Sequence, residues 1–232
     1  MQAFLSTKTL QRYFKSAIIE QSYFIKYSMH ISWLGNTTIK LQAKPLDQDV
    51  TIIIDPYKPK SGNFPRSLTP EVVLYTRGVK ESITISGNPF ILDTAGECET
   101  HGVLVTAIPG HDDGQYFLRV DVEQMSLVHL GNAKQPLTDE QLESLGNIDI
   151  LCIPVGSDDC YDPEEAVKVV NSIEPRVVIP IMHKSENNPQ AKEVELFLKE
   201  MGVQNGEIEK KVILKKNNLP EEETRVIVLQ KE

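Results

Sequence analysis

Between Met29 and His129 the chain falls into short extended segments separated by Gly, Pro and Asn, which sets a sheet, not a helical bundle, as the starting architecture. Strands are predicted at 30–33, 37–42, 50–54 and 72–75, broken by Leu34-Gly35-Asn36, Pro45 and Pro56. Further strands follow at 82–86, 90–92, 102–108, 116–122 and 125–129, with Gly87-Asn88-Pro89, Gly110 and Gly114 between them. The pattern changes at Thr138, whose hydroxyl is placed to cap a helix while Gln141 reaches back, with Leu142 and Leu145 facing a core and Gly146 as the stop. A second helix opens at Asp162, with Pro163 in the first helical position, Glu165 three residues on, and Ala166, Val169 and Val170 as its apolar stripe. Segments 148–154 and 177–181 are almost continuously apolar, as strands covered on both faces are. A third helix is predicted over 189–201, ending at Gly202, and a last strand over 224–229. A strand-rich first half followed by strands alternating with helices fits packed sheets covered by helices.

No repeat or Gly/Ser linker divides this order, so 29–232 reads as a single α/β domain, and 40% hydrophobic residues suffice for its core. No segment approaches 18 consecutive apolar residues, which excludes a membrane-spanning helix. The net charge of -9 repels polyanions, so nucleic acid is not expected as a partner. Cys98, Cys152 and Cys160 form neither a CxxC pair nor a disulfide framework, and a cytoplasmic location is expected. Residues 1–28 stand apart: Lys8, Arg12, Lys15 and Lys26 oppose Glu20 alone, and Leu5, Leu10, Phe14 and Ile18 recur at roughly helical spacing. They read as an N-terminal extension before Met29, with a transit-type or membrane-surface helix as the alternative.

Several strings resemble, in order and spacing, the metal-dependent hydrolase branch of the metallo-β-lactamase superfamily, the branch that includes ascorbate-6-phosphate lactonase. They are Met29-His30-Ile31-Ser32-Trp33-Leu34-Gly35, Ile53-Ile54-Asp55-Pro56-Tyr57, Gly87-Asn88-Pro89-Phe90 and the stretch from Thr106 to His111. His129-Leu130-Gly131-Asn132, Ile153-Pro154-Val155-Gly156 and Ile179-Pro180-Ile181-Met182-His183 continue the likeness. The resemblance implies a four-layer αββα sandwich with its site in loops at one sheet edge. It also implies a metal bound by imidazoles and carboxylates, with one position left open for an activated water.

The ligand positions depart from that pattern. Where the family carries HxHxDH, this chain reads Arg77-Gly78-Val79-Lys80-Glu81-Ser82, and Asn132 stands in place of the bridging aspartate. His111 and His183 match the two remaining histidines. A guanidinium 4 Å from a divalent ion would be repelled by roughly 8 kcal/mol at an effective dielectric near 20, and Val79 offers no donor atom. The remnant metal candidates are therefore His111, His183, Glu81 and Asn132, and the cleft candidates are Asp55, Arg77 and Lys80. Asp55 is expected to accept backbone N–H groups beneath the loop. Arg77 is expected to replace the lost cation by bridging Glu81, Asp55 or Asn132, or else to hold an anion with Lys80. His30, His101 and His129 read as ordinary strand or surface residues, and Asp158-Asp159-Cys160 as a solvated loop before a helix cap.

The expectation is a degenerate member without metal-dependent hydrolysis or cofactor, acting by binding a small anionic ligand or a protein partner. The competing reading is a hydrolase of phosphorylated sugars, lactones or nucleotides with a rearranged single-metal site for zinc or manganese. Its ligands would be His111, His183 and an acidic residue such as Asp112, Asp113, Asp158, Asp159 or Asp162. A scaffold subunit, in homo-oligomers or with an active paralogue, is the third.

Overall fold

The computed structural model describes residues 27–204 and 206–232. The expectation for residues 1–28 thus lies, apart from Tyr27 and Ser28, outside the described residues. Strands β1 (Met29–Gly35), β2 (Thr38–Ala43), β3 (Val50–Ile54), β4 (Ser67–Leu68), β5 (Val72–Leu74), β6 (Thr84–Ile85) and β7 (Phe90–Leu92) come first. They are followed by β8 (Gly96–Thr100), β9 (Val103–Pro109), β10 (Tyr116–Val122) and β11 (Met125–His129). Helix α1 (Asp139–Leu145), β12 (Ile150–Pro154), α2 (Pro163–Ile173), β13 (Val177–Ile181) and α3 (Val194–Glu200) alternate after that. β14 (Glu207–Glu209), β15 (Val212–Leu214) and β16 (Arg225–Leu229) close the chain.

The strands form a six-stranded sheet, β15-β1-β2-β3-β5-β7, an eight-stranded sheet, β14-β16-β13-β12-β11-β10-β9-β8, and a small β4-β6 pair. The two large sheets face each other across one core. Ile31, Ile39, Ile52 and Leu74 from the first meet Val105, Leu118, Leu127, Cys152 and Ile179 from the second. Neighbouring residues on the second sheet point the other way, because successive side chains in a strand alternate faces. Phe117, Val128, Leu151, Ile153 and Val178 pack there against Leu145, Ala166, Val169, Val170, Phe197 and Leu198 of the three helices. The apolar runs at β12 and β13 follow from this, since each strand is covered on both faces. The result is an α/β sandwich of two mixed sheets with few helices, as expected from the order of strands and helices.

Both predicted caps are present. The Thr138 hydroxyl accepts from the Gln141 N–H and the Gln141 side chain returns the bond, and Asp162 and Glu165 do the same at α2. Each cap contributes about 1 kcal/mol. The third helix is shorter than predicted: it starts after Glu193, because 185–191 is held as turns, with Ser185 and Asn188 exchanging backbone bonds. β4, β8, β14 and β15 have no counterpart among the expected strands; β4 is a two-residue strand. β14 and β15 are only three residues each, and β8 carries Gly96, Glu97 and Glu99 where an alternating apolar pattern would mark a strand.

Candidate functional site

At the end of β3 the backbone turns through Asp55 at φ 52°, just before Pro56. The Asp55 carboxylate is fully buried and accepts the Thr76 backbone N–H at 2.7 Å on one oxygen and the Thr76 hydroxyl at 2.6 Å on the other. Its own carbonyl accepts from the Thr38 hydroxyl at 2.6 Å. Burying a carboxylate costs several kcal/mol, and charge-assisted bonds of this kind offset it. The Thr76 carbonyl then accepts the Tyr116 N–H at 2.7 Å, which ties the loop after β5 to the start of β10 in the other sheet. Gly131 closes the assembly at φ 59°: a Cβ there would stand 2.7 Å from the Thr76 hydroxyl oxygen.

His129 completes this bracket. It lies on β11, inside the eight-stranded sheet, as the strand expected over 125–129 placed it, and it is fully buried; its bracing contacts were not anticipated. Its Nε2 lies 2.8 Å from the Thr37 carbonyl and its Nδ1 accepts the Gly131 N–H at 3.0 Å. That pairing requires the neutral ring with its proton on Nε2, and burial holds the pKa below the ordinary histidine value, with Asp55 acting against it. His30 is half-buried near Ser28, whereas His101 is exposed beside Thr100.

The loop from Arg77 to Ser82 is closed by hydroxyls. Tyr57 OH donates to the Gly78 carbonyl at 2.9 Å and accepts the Arg77 N–H at 3.0 Å. Burial, chiefly, pushes the Tyr57 hydroxyl pKa up, so the phenol keeps its proton to donate. The Ser82 hydroxyl shares a 2.9 Å bond with Tyr75 OH, and the Lys58 N–H donates to the Glu81 carbonyl at 2.9 Å. Arg77 does not make the bridge expected of it. Among the described residues no ion pair joins it to Glu81 or Asp55 and no hydrogen bond to Asn132; its guanidinium lies over the Tyr57 ring, 4.7 Å from the centroid. Asp55 is already engaged by Thr76, Glu81 is exposed at φ 65°, and stacking on Tyr57 leaves the guanidinium in water. Lys80 and Val79 are also exposed.

His111 and His183 occupy separate surroundings. The His111 backbone N–H donates to the Gln115 side-chain oxygen at 2.9 Å, and the Gln115 amide reaches Asn132 Oδ1 at 3.4 Å. His111 Nε2 lies 2.9 Å from the Pro136 carbonyl, the ring stands edge-on to Phe117 at 5.4 Å, and Nδ1 is buried without a partner. His183 instead packs on Trp33, with ring centroids 4.3 Å apart, and its Nε2 is buried without a partner. Burial lowers its pKa to about 4. Gly156 makes room for it, since a Cβ there would approach the His183 Cα to 2.7 Å. Among the acidic candidates, Asp162 caps α2, and Asp158 and Asp159 are exposed. Beside them the Cys160 thiol lies against Ser157, and burial pushes its pKa to about 11.

Among the described residues no group of three His, Cys, Asp or Glu side chains is placed to hold a metal ion. The candidate residues, as placed, do not fit a divalent ion. Val79 has no donor atom, Arg77 is a cation, His111 Nε2 faces a backbone carbonyl, and Asn132 Oδ1 faces the Gln115 amide. Tyr57, Thr76, Gln115 and Trp33 organise the site, and sequence reading did not single them out. Thr76 and Tyr57 had a signal, each lying just beyond a strand end that carries a loop.

Residues 30–183 match a family model described as the beta-lactamase superfamily domain. A UPF0173 metal-dependent hydrolase of Methanopyrus kandleri is 25% identical over 215 residues, covering 75% of this chain and 91% of that protein. A UPF0173 metal-dependent hydrolase of Thermococcus onnurineus is 30% identical over 117 residues, 46% of this chain and 52% of that protein. Among solved structures, a metallo-beta-lactamase superfamily protein of Thermotoga maritima aligns with a TM-score of 0.72 at 27% identity, over 87% of this chain and 98% of that one.

Proposed function

This chain belongs to the beta-lactamase superfamily, and from that premise we propose that it is a member of the metal-dependent hydrolase-like branch that no longer performs metal-dependent hydrolysis. It instead binds a small anionic ligand at the edge where the ligand loop has been rebuilt. The observation that carries this reading is Arg77. At the position matching the first family histidine, it is an exposed guanidinium oriented by Tyr57 and without a carboxylate partner among the described residues. A planar fork held on an aromatic ring is suited to a carboxylate or phosphate, and Lys80 lies three residues on. Such a patch attracts anions against the overall charge of -9. The likeness to ascorbate-6-phosphate lactonase suggests a phosphorylated small molecule as the ligand class.

The test combines elemental analysis of protein purified without chelator with calorimetric titration of inorganic phosphate. Much less than one equivalent of zinc, manganese or iron is expected, together with phosphate binding that Arg77→Ala weakens about tenfold, the loss of one charge-assisted contact. Stoichiometric metal surviving dialysis would support the other reading, which the metal-dependent hydrolase names of the relatives favour: a single-metal site using His111, His183 and a carboxylate. Phosphate binding unaffected by Arg77→Ala would sink the anion site.

A further inference from the structure

A cavity of about 520 Å³ opens where the loop after β13 meets β16, β14 and the start of α3. None of Arg77, His111, Gln115 or Asn132 lines it. Its aromatic wall is the Trp33–His183 pair, and Val228 and Ile208 add apolar surface. Two polar atoms of lining residues are buried without a hydrogen-bond partner, His183 Nε2 and Ser185 Oγ. His183 is 6% exposed. An unpaired buried polar atom costs about 1 to 3 kcal/mol, and neither atom finds a partner among the described residues. The charges around the rim are unbalanced. Lys184 pairs with Glu193 and Lys231 with Glu186, both at 2.6 Å, and Glu232 is held by Lys40 and Ser32. Glu195 has no ion pair among the described residues.

The class of occupant follows from these facts. The negative rim disfavours an anion. Among the described residues the acidic groups and His183 form no cluster able to hold a metal ion, and the volume is that of a molecule, not of an ion. We propose that this cavity binds an alkylammonium ligand, its hydrocarbon part against Trp33 and Val228 and its charged nitrogen toward Glu195, His183 Nε2 and Ser185 Oγ. A primary ammonium offers three N–H donors and a compact charge, which answers both the unpaired acceptors and the unpaired carboxylate.

Trp33 is the only tryptophan in the chain, so its indole N–H gives a single reporter in a ¹⁵N-edited NMR spectrum of the full chain. Titration with n-butylammonium chloride is expected to shift that signal and the amides of 183–186 and 194–196 along one saturable curve. Sodium butanoate at matched ionic strength should leave them in place. Glu195→Gln, at an exposed position, should keep the fold and weaken butylammonium binding roughly 3- to 10-fold, as loss of one partly screened charge does. Arg77→Ala should leave it unchanged, which separates this cavity from the anion site. No saturable shift at these residues, an equal response to butanoate, or binding unaffected by Glu195→Gln would overturn the proposal.

Discussion

Two neighbouring regions of this edge have diverged in character. The bracket of Asp55, Thr76, His129 and Gly131 is buried, with its carboxylate and both imidazole nitrogens engaged. The loop it supports, from Arg77 to Ser82, is largely exposed and is closed by Tyr57 and Ser82 hydroxyls. The bracket and the loop are thus stabilised differently. The bracket's polar groups have left water and must stay paired. The loop's side chains face solvent, where exchange of one for another costs little.

Removing a bracket group should therefore cost much more than removing a loop group. Asp55→Ala strands the Thr76 N–H and hydroxyl and is expected to cost about 3 to 5 kcal/mol, a drop of more than roughly 8 °C in Tm. A loss below about 1 kcal/mol in urea unfolding would mean that the bracket is not what holds the loop. Gly131→Ala meets the Thr76 hydroxyl oxygen at 2.7 Å with φ at 59°, and about 2 to 4 kcal/mol is expected on the same measurement.

Acidification provides a third measure. His129 and His183 have pKa values lowered by burial, His183 to about 4, against an ordinary value of about 6.5. The unfolded chain then takes up protons first, so stability is complete above about pH 6.5 and falls as pH drops from there toward 4. A loss on the order of 2 to 3 kcal/mol by pH 4.5 is expected from His183. His183→Gln should flatten that slope; an unchanged slope would show that His183 is not buried neutral. The smallest effect belongs to the loop: Arg77→Ala should change stability by less than about 0.5 kcal/mol, since its stack on Tyr57 is exposed. A larger change would point to a partner for Arg77 other than Tyr57.

What the amino-acid order determined by itself was the local and the repetitive. Thr138 with Gln141 and Asp162 with Glu165 mark helix starts because capping acts over three residues. The apolar runs at β12 and β13 announce two-sided burial. Tertiary structure decided the partners. His129 is a buried brace because β11 falls inside its sheet, next to the Thr37 carbonyl 92 residues away in sequence. Arg77 lies on Tyr57, 20 residues away, and not on Glu81, four residues away, because Asp55 turns the chain so that Tyr57 OH receives the Arg77 N–H. His111 and His183, alike as histidines of one resemblance, are separated by what packs on each: the Gln115–Asn132 chain for one and Trp33 for the other. Short-range hydrogen bonding and side-chain alternation are written along the chain, whereas contacts between distant strands exist only once the two sheets have closed on each other.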